Sequence, residues 1–143
     1  MQVSKFTDYA LRVLMFAALK EPELVTIDEV AGSFDVSRHH LVKVVHLLGQ
    51  AGFLATRRGI GGGFRLALPP EKIMLGGVVR LTETTDTVVN CYDNSDATCR
   101  IFPACRLKQT FAEAGEAFFA VLDHHSLASL VRPKSELKML LRL

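Results

Sequence analysis

The stretch FLATRRGIGGGFRLAL, residues 53–68, limits what this chain can fold into more than any other. Phe53, Leu54 and Ala55 read as a strand, RGIGGG as a turn and FRLAL as the returning strand. What precedes the hairpin is helical. Ser4 can cap a helix in which Phe6, Tyr9, Ala10, Val13, Leu14 and Ala17 follow at three- and four-residue steps. It should stop near Glu21-Pro22, since the residue before a proline disfavours the helical conformation. In TIDEVAGSF, Thr26 is the cap, Glu29 completes a capping box, and Ile27, Val30 and Phe34 face inward. Ser37 caps a third helix, RHHLVKVVHLLGQAG, with Leu41, Val44, Val45 and Leu48 buried and Gly52 placed to end it. Three helices and then a hairpin is the winged helix-turn-helix arrangement. The expected fold class is mainly α with a small β-wing: a winged helix-turn-helix plus a long dimerisation helix.

The same pattern fits three small packed helices with no role in DNA binding. Charge argues against that. Between Val36 and Pro70 there are five basic residues (Arg38, Lys43, Arg57, Arg58, Arg65) and no Asp or Glu. That stretch is +5, leaving −3 for the remainder of a chain whose formal net charge is +2. A solvated face normally mixes the two signs, so a block of one sign suggests a polyanion partner. The third helix would lie in the major groove of double-stranded DNA and offer Ser37, Arg38, His39 and His40, with Lys43 one turn on. Arg38 is the candidate for a bidentate contact to guanine, while Ser37 and Lys43 suit phosphates. In the wing, Arg57 or Arg58 could enter a narrow minor groove, Arg65 adds charge, and Gly61, Gly62 and Gly63 permit close backbone approach. Reading GIGGG as a nucleotide-cradling loop fails on context, because the glycines lie between two strands and no Lys-Ser/Thr follows. Adjacent His39 and His40 diverge by roughly 100° on a helix and make a poor ligand pair.

Pro69-Pro70 close this unit, and a short helix is expected over Leu75–Thr84. Pro103 marks the start of a long last helix. Along it Leu107, Phe111, Ala114, Phe118, Val121 and His125 recur at steps of four and three, a heptad seam. The seam could pack on its own chain. A partner helix is preferred, because Ala114 and Gly115 allow a close approach and a DNA-binding unit this small usually works as a symmetric pair on a palindromic operator.

All three cysteines, Cys91, Cys99 and Cys105, fall within fifteen consecutive positions. An odd number excludes a closed set of intrachain disulfides. The amino terminus carries Lys5, Asp8 and Arg12 in place of the apolar run of a signal peptide or membrane span, so a cytoplasmic, membrane-free protein with reduced thiols is expected. The Cys-x7-Cys-x5-Cys spacing is too open for a zinc knuckle but suits a loop wrapped around an iron–sulfur cluster. Cys105 is expected in the opening turn of the last helix, where free amides stabilise anionic thiolates. Zinc and free reactive thiols remain alternatives. No paired acid and base and no Ser/His/Asp arrangement can be placed, and Asp123, His124 and His125 are expected on the dimer surface, so an enzyme is not expected.

Taken together, SKFTDYALRVLMF, VSRHHLVKVVHLL, RRGIGGGFRLA and the three cysteines resemble the Rrf family of iron–sulfur regulators over roughly residues 1–125. The resemblance implies a homodimeric winged-helix repressor with one cluster per subunit, 4Fe-4S favoured and 2Fe-2S possible, near the dimer helix. One branch of that family has a histidine two residues beyond the third cysteine, and here that position is Leu107. The nitric-oxide-sensing branch can use an aspartate of the first helix, which Asp8 matches, supplied by the other subunit. The alternative for Asp8 is an ion pair with Arg12. The first cysteine gap, seven residues, is longer than usual in that branch, and Asn94-Ser95-Asp96 would absorb the difference. The implied signal is nitric oxide, releasing DNA and derepressing detoxification genes. The alternatives are a redox- or iron-responsive regulator of the same fold and a zinc-binding transcription factor. The expected division is a winged helix-turn-helix domain over 1–70, a connecting helix over 71–84, a cluster-binding loop over 85–105, a dimerisation helix over 106–126 and a flexible tail over 127–143.

Overall fold

The computed structural model describes residues 3–83 and 99–143. Helix α1 (Lys5–Lys20) begins at Ser4, whose side chain accepts a hydrogen bond from the Thr7 amide, and ends at Glu21, which turns to extended backbone before Pro22. Helix α2 (Ile27–Phe34) starts with the full capping box between Thr26 and Glu29 and stops at Asp35, a left-handed residue with φ 51°. Helix α3 (Arg38–Gln50) follows after a three-residue turn. Gly52, at φ +79°, ends that helix and sends the chain into strand β1 (Leu54–Arg57). Strand β2 (Gly63–Leu66) returns antiparallel with Leu54 opposite Leu66 and Arg57 opposite Gly63.

Helix α1 is the axis of the core. Its Ala10, Val13, Leu14, Phe16, Ala17 and Leu19 are buried, packed with Leu41, Val44 and Leu48 of α3 and with Phe64 of β2. Each of the valines, leucines and phenylalanines among them contributes about 1.5–3 kcal/mol by leaving water. The hairpin is tied down by a third extended segment: the Val25 amide donates to the Phe64 carbonyl and the Phe64 amide to the Val25 carbonyl, both at 2.8 Å. A side chain at position 63 would collide with the Val25 carbonyl, which is why glycine stands there.

Helix α4 (Leu75–Thr82) ends at Glu83, whose backbone is extended, and Thr84, where the sequence pattern places its end, lies outside the described residues. Helix α5 (Arg106–Asp123) follows a 3-10 turn at Phe102–Ala104 that holds Pro103. Proline therefore precedes the long helix instead of opening it, and Cys105 is the residue before the first turn, not within it. Residues 127–143, expected as a flexible tail, form helix α6 (Leu127–Leu130) and helix α7 (Lys134–Leu141). The reason is apolar burial on either side of Pro133. Leu127 and Val131 enter the core, and Leu137 and Leu141 pack against it. Backbone bonds from the Leu127 amide to the Ile73 carbonyl (2.8 Å) and from the Leu75 amide to the His125 carbonyl (2.9 Å) stitch the end of α5 to the start of α4.

Candidate nucleic-acid interface and thiol site

The buried stripe of α3 fixes what the helix shows to solvent. With Leu41, Val44, Val45 and Leu48 inward, Ser37, Arg38, His39, His40 and Lys43 are all exposed. Ser37 takes the cap position without making a side-chain capping bond. Arg38 is not a free side chain: its Nε donates to Asp28 Oδ1 of α2 at 2.8 Å. His40 meets the ring of Tyr9 from α1, with centroids 6.1 Å apart. In the wing, β2 turns Phe64 and Leu66 inward and leaves Arg65 exposed. Arg57, Arg58 and Gly61 are exposed and Gly62 half-buried. Gly61 has φ +71°, and a side chain at Gly62 would strike the carbonyls of Arg57 and Gly59. The wing tip is thus bare backbone between arginines, with Ile60 fully exposed.

The Asp8 carboxylate is half-buried and engaged by Arg12 one turn on, Oδ1 to Nε and Oδ2 to Nη2, both at 3.0 Å. Its neighbour Thr7 is fully buried in a polar knot between α1 and the end of α4. The Thr7 hydroxyl donates to Glu83 Oε1 at 2.5 Å and lies 2.7 Å from the Thr82 hydroxyl, and the Ser4 amide donates to the same Glu83 oxygen at 2.9 Å. Burial pushes the Glu83 carboxyl up, but these donors outweigh it and hold the group below the ordinary carboxylate range. The knot anchors the first turn of α1 to the end of α4.

Cys91 lies outside the described residues, as do Asn94, Ser95 and Asp96. Cys99 is exposed and Cys105 half-buried, both as free thiols. They flank the Phe102–Ala104 turn. Cys105 lines a shallow depression of about 370 Å³ with Phe102, Pro103, Arg106, Lys108 and Gln109. Its side chain makes no capping bond, and the first turn of α5 holds no acidic residue. Lys108 stands 4.1 Å from the centre of the Phe102 ring. Soft sulfur donors beside uncapped amides and two cations suit an anionic thiolate-bound group such as an iron–sulfur cluster.

On α5, Leu107 (61%) and Val121 (59%) are strongly exposed, as is Ala114, with Phe111 and Phe118 half-buried. The buried residue of α5 is Gly115. Sequence reasoning missed Asp28, Tyr9, Thr7 and Thr82 as parts of these sites. Each acts across an inter-helix contact that no local spacing announces.

The sequence profile of the Rrf2 family, described as an iron-dependent transcriptional regulator, matches residues 3–133. The chain is 44% identical to the HTH-type transcriptional regulator NsrR of Bacillus subtilis, over all of this chain and 99% of that protein. It is also 44% identical to NsrR of Geobacillus kaustophilus, over 99% and 97%. Among solved structures, T. potens IscR superposes with a TM-score of 0.76 at 21% identity, covering 96% of this chain and 91% of that one. Oxidized Staphylococcus aureus CymR superposes at 0.73 and 25% identity, covering 92% and 97%. The two NsrR relatives are named as transcriptional regulators, and among the described residues no helix is long and apolar enough to cross a membrane. The chain belongs to the Rrf2 family of winged-helix transcriptional regulators.

Proposed function

We propose that this regulator is a homodimeric repressor that binds a palindromic operator and responds to nitric oxide through an iron–sulfur cluster, one per subunit and of the 4Fe-4S type. Cys91, Cys99 and Cys105 would hold the cluster, with Asp8 of the partner subunit as the fourth ligand. When bound, the cluster supplies an iron site that a hard carboxylate holds more weakly than thiolates do and that a small molecule can reach.

One observation carries the reading. Asp8 lies between Thr7, knotted to Glu83 at the end of α4, and Tyr9, in contact with His40 of the reading helix. The Asp8 carboxylate also has a second partner at hand in Arg12. Whichever partner holds it sets the position of the first turn of α1, and Tyr9 passes that position to α3. Two reading helices in a dimer must match the helical repeat of DNA, so a small shift in each loses both half-sites together. Ser37 and Lys43 would position phosphates, Arg38, His39 and His40 would face base edges, and Arg57, Arg58, Gly61, Gly62 and Arg65 would follow the groove wall.

Anaerobic purification with iron and sulfide analysis, followed by titration of nitric oxide during a DNA mobility assay, tests this. The expected result is about four irons and four sulfides per subunit in wild type, little of either after Cys99→Ser or Cys105→Ser, and loss of the shifted DNA band as nitric oxide is added. Operator binding that persists through complete reaction with nitric oxide sinks the mechanism. Zinc in place of iron sinks the cofactor.

A further inference from the structure

We propose that Asp28 is a positioning residue for base recognition, orienting Arg38 as a fork for guanine. This rests on the reading that α3 enters the major groove. The Asp28 carboxylate, in the first turn of α2, takes Arg38 Nε at 2.8 Å. Both terminal nitrogens of the guanidinium stay out of that bond, and among the described residues they make no other. An arginine that reads guanine end-on uses those two nitrogens, on O6 and N7.

The pair does little for stability. Its side chains are 63% and 73% exposed, where an ion pair contributes little. It does little for plain phosphate binding either, because a carboxylate beside the guanidinium weakens its pull on a polyanion. What it does provide is order. A free arginine has much rotamer entropy that must be lost on docking, and a side chain already held loses less. The tight turn from Asp35 (φ 51°) to Ser37 sets the crossing of α2 and α3 that brings the two residues together.

Selection of a binding site by the full-length, cluster-loaded protein from a library of randomised duplexes provides the probe. Affinities are then measured for that duplex, its single-base variants and a random duplex, at two salt concentrations. R38A should lose the preference for one guanine in each half-site. D28A should cut the same preference by about threefold, in keeping with what an exposed ion pair can return by holding the side chain, with little change in salt slope. D28N should fall between D28A and wild type. In the R38A background, D28A should leave the base preferences unchanged. If instead D28A tightens binding to every duplex by one factor and keeps the guanine preference, Asp28 only masks a phosphate contact and the proposal fails alone. If R38A keeps every preference, the major-groove reading of Arg38 fails and the proposal falls with it.

Discussion

The Asp123 carboxylate at the end of α5 receives both terminal nitrogens of Arg80 from α4, each at 2.7 Å, and the same guanidinium lies 4.3 Å from the centre of the Phe119 ring. The pair depends on an absent side chain. A methyl group on Gly76 would overlap the Asp123 carboxylate, whereas one on Gly77, the next residue, meets nothing within 4 Å. Both glycines are helical and would gain about 1 kcal/mol of intrinsic propensity as alanine. G77A should therefore stabilise by about 0.5–1 kcal/mol. G76A should forfeit that gain and end near or below wild type, since its methyl pushes the half-exposed Asp123 carboxylate away from Arg80. Urea denaturation of the two variants side by side checks this, and equal stabilisation would show that the α4–α5 crossing can open freely.

The knot at Glu83 predicts a pH dependence. Its donors hold the folded carboxyl below the ordinary value. Its contribution is therefore fully present above the ordinary carboxylate range and is lost as pH falls from there through the folded carboxyl's own, lower value. Glu29, lowered in the same direction against its own burial by bonds from Lys20 and Thr26, adds a parallel dependence, so a control is needed. E83Q should cost about 1 kcal/mol at neutral pH, because a charged acceptor is exchanged for a neutral one. That difference should shrink in acid, below the ordinary carboxylate range, as the wild-type carboxyl protonates. T7V, which removes the central hydroxyl, should cost about 1–2 kcal/mol. Denaturant midpoints across pH for the three proteins would show it. A gap between wild type and E83Q that does not close in acid would contradict the assignment.

Local rules carried the sequence reading a long way, and they failed where the third dimension decides. The caps at Ser4 and Thr26, the inward stripe of α3 and the hairpin at Gly61–Gly63 are set by contacts a few residues apart. The order of residues reveals these directly. The tail was misread because Leu127, Val131, Leu137 and Leu141 straddle Pro133, so no unbroken periodicity marks them as core. The Asp28–Arg38 and Tyr9–His40 contacts were invisible for another reason: they depend on the crossing angles of α2 and α1 with α3. Cys105 illustrates a smaller limit. A proline in a first turn and a proline in the 3-10 turn before it look alike in sequence.

The reading surface predicts a graded salt response. Each phosphate neutralised by a basic side chain adds about 0.9 to the slope of log affinity against log salt on duplex DNA. K43A and R65A remove exposed charges that face backbone in the proposed arrangement. Each should weaken binding to all duplexes by a similar factor and lower the slope by about one. An R57A/R58A double variant should lower it by about two. Anisotropy titrations between low and physiological salt give these slopes. A variant that changes base preference and not slope belongs to the sequence-reading set instead.

The exposed seam of α5 predicts where a second copy sits. Leu107 and Val121 leave more than half of their surface in water within one subunit, and Ala114 between them is exposed as well. A charge placed on an exposed position costs a lone subunit little, whereas the same charge buried between two helices without a partner costs several kcal/mol. A114E should therefore keep the helical content of wild type while shifting the protein to monomer in analytical ultracentrifugation. Because linking two half-site readers multiplies affinity by about 10²–10⁴, the variant should lose operator binding by a comparable factor and yet keep its weak, salt-sensitive hold on random duplex. Glu116, two residues on and also exposed, serves as the control. E116Q should remain dimeric, because position 116 lies off the seam. An A114E protein that stays dimeric and binds operator normally would move the interface to another face of the molecule.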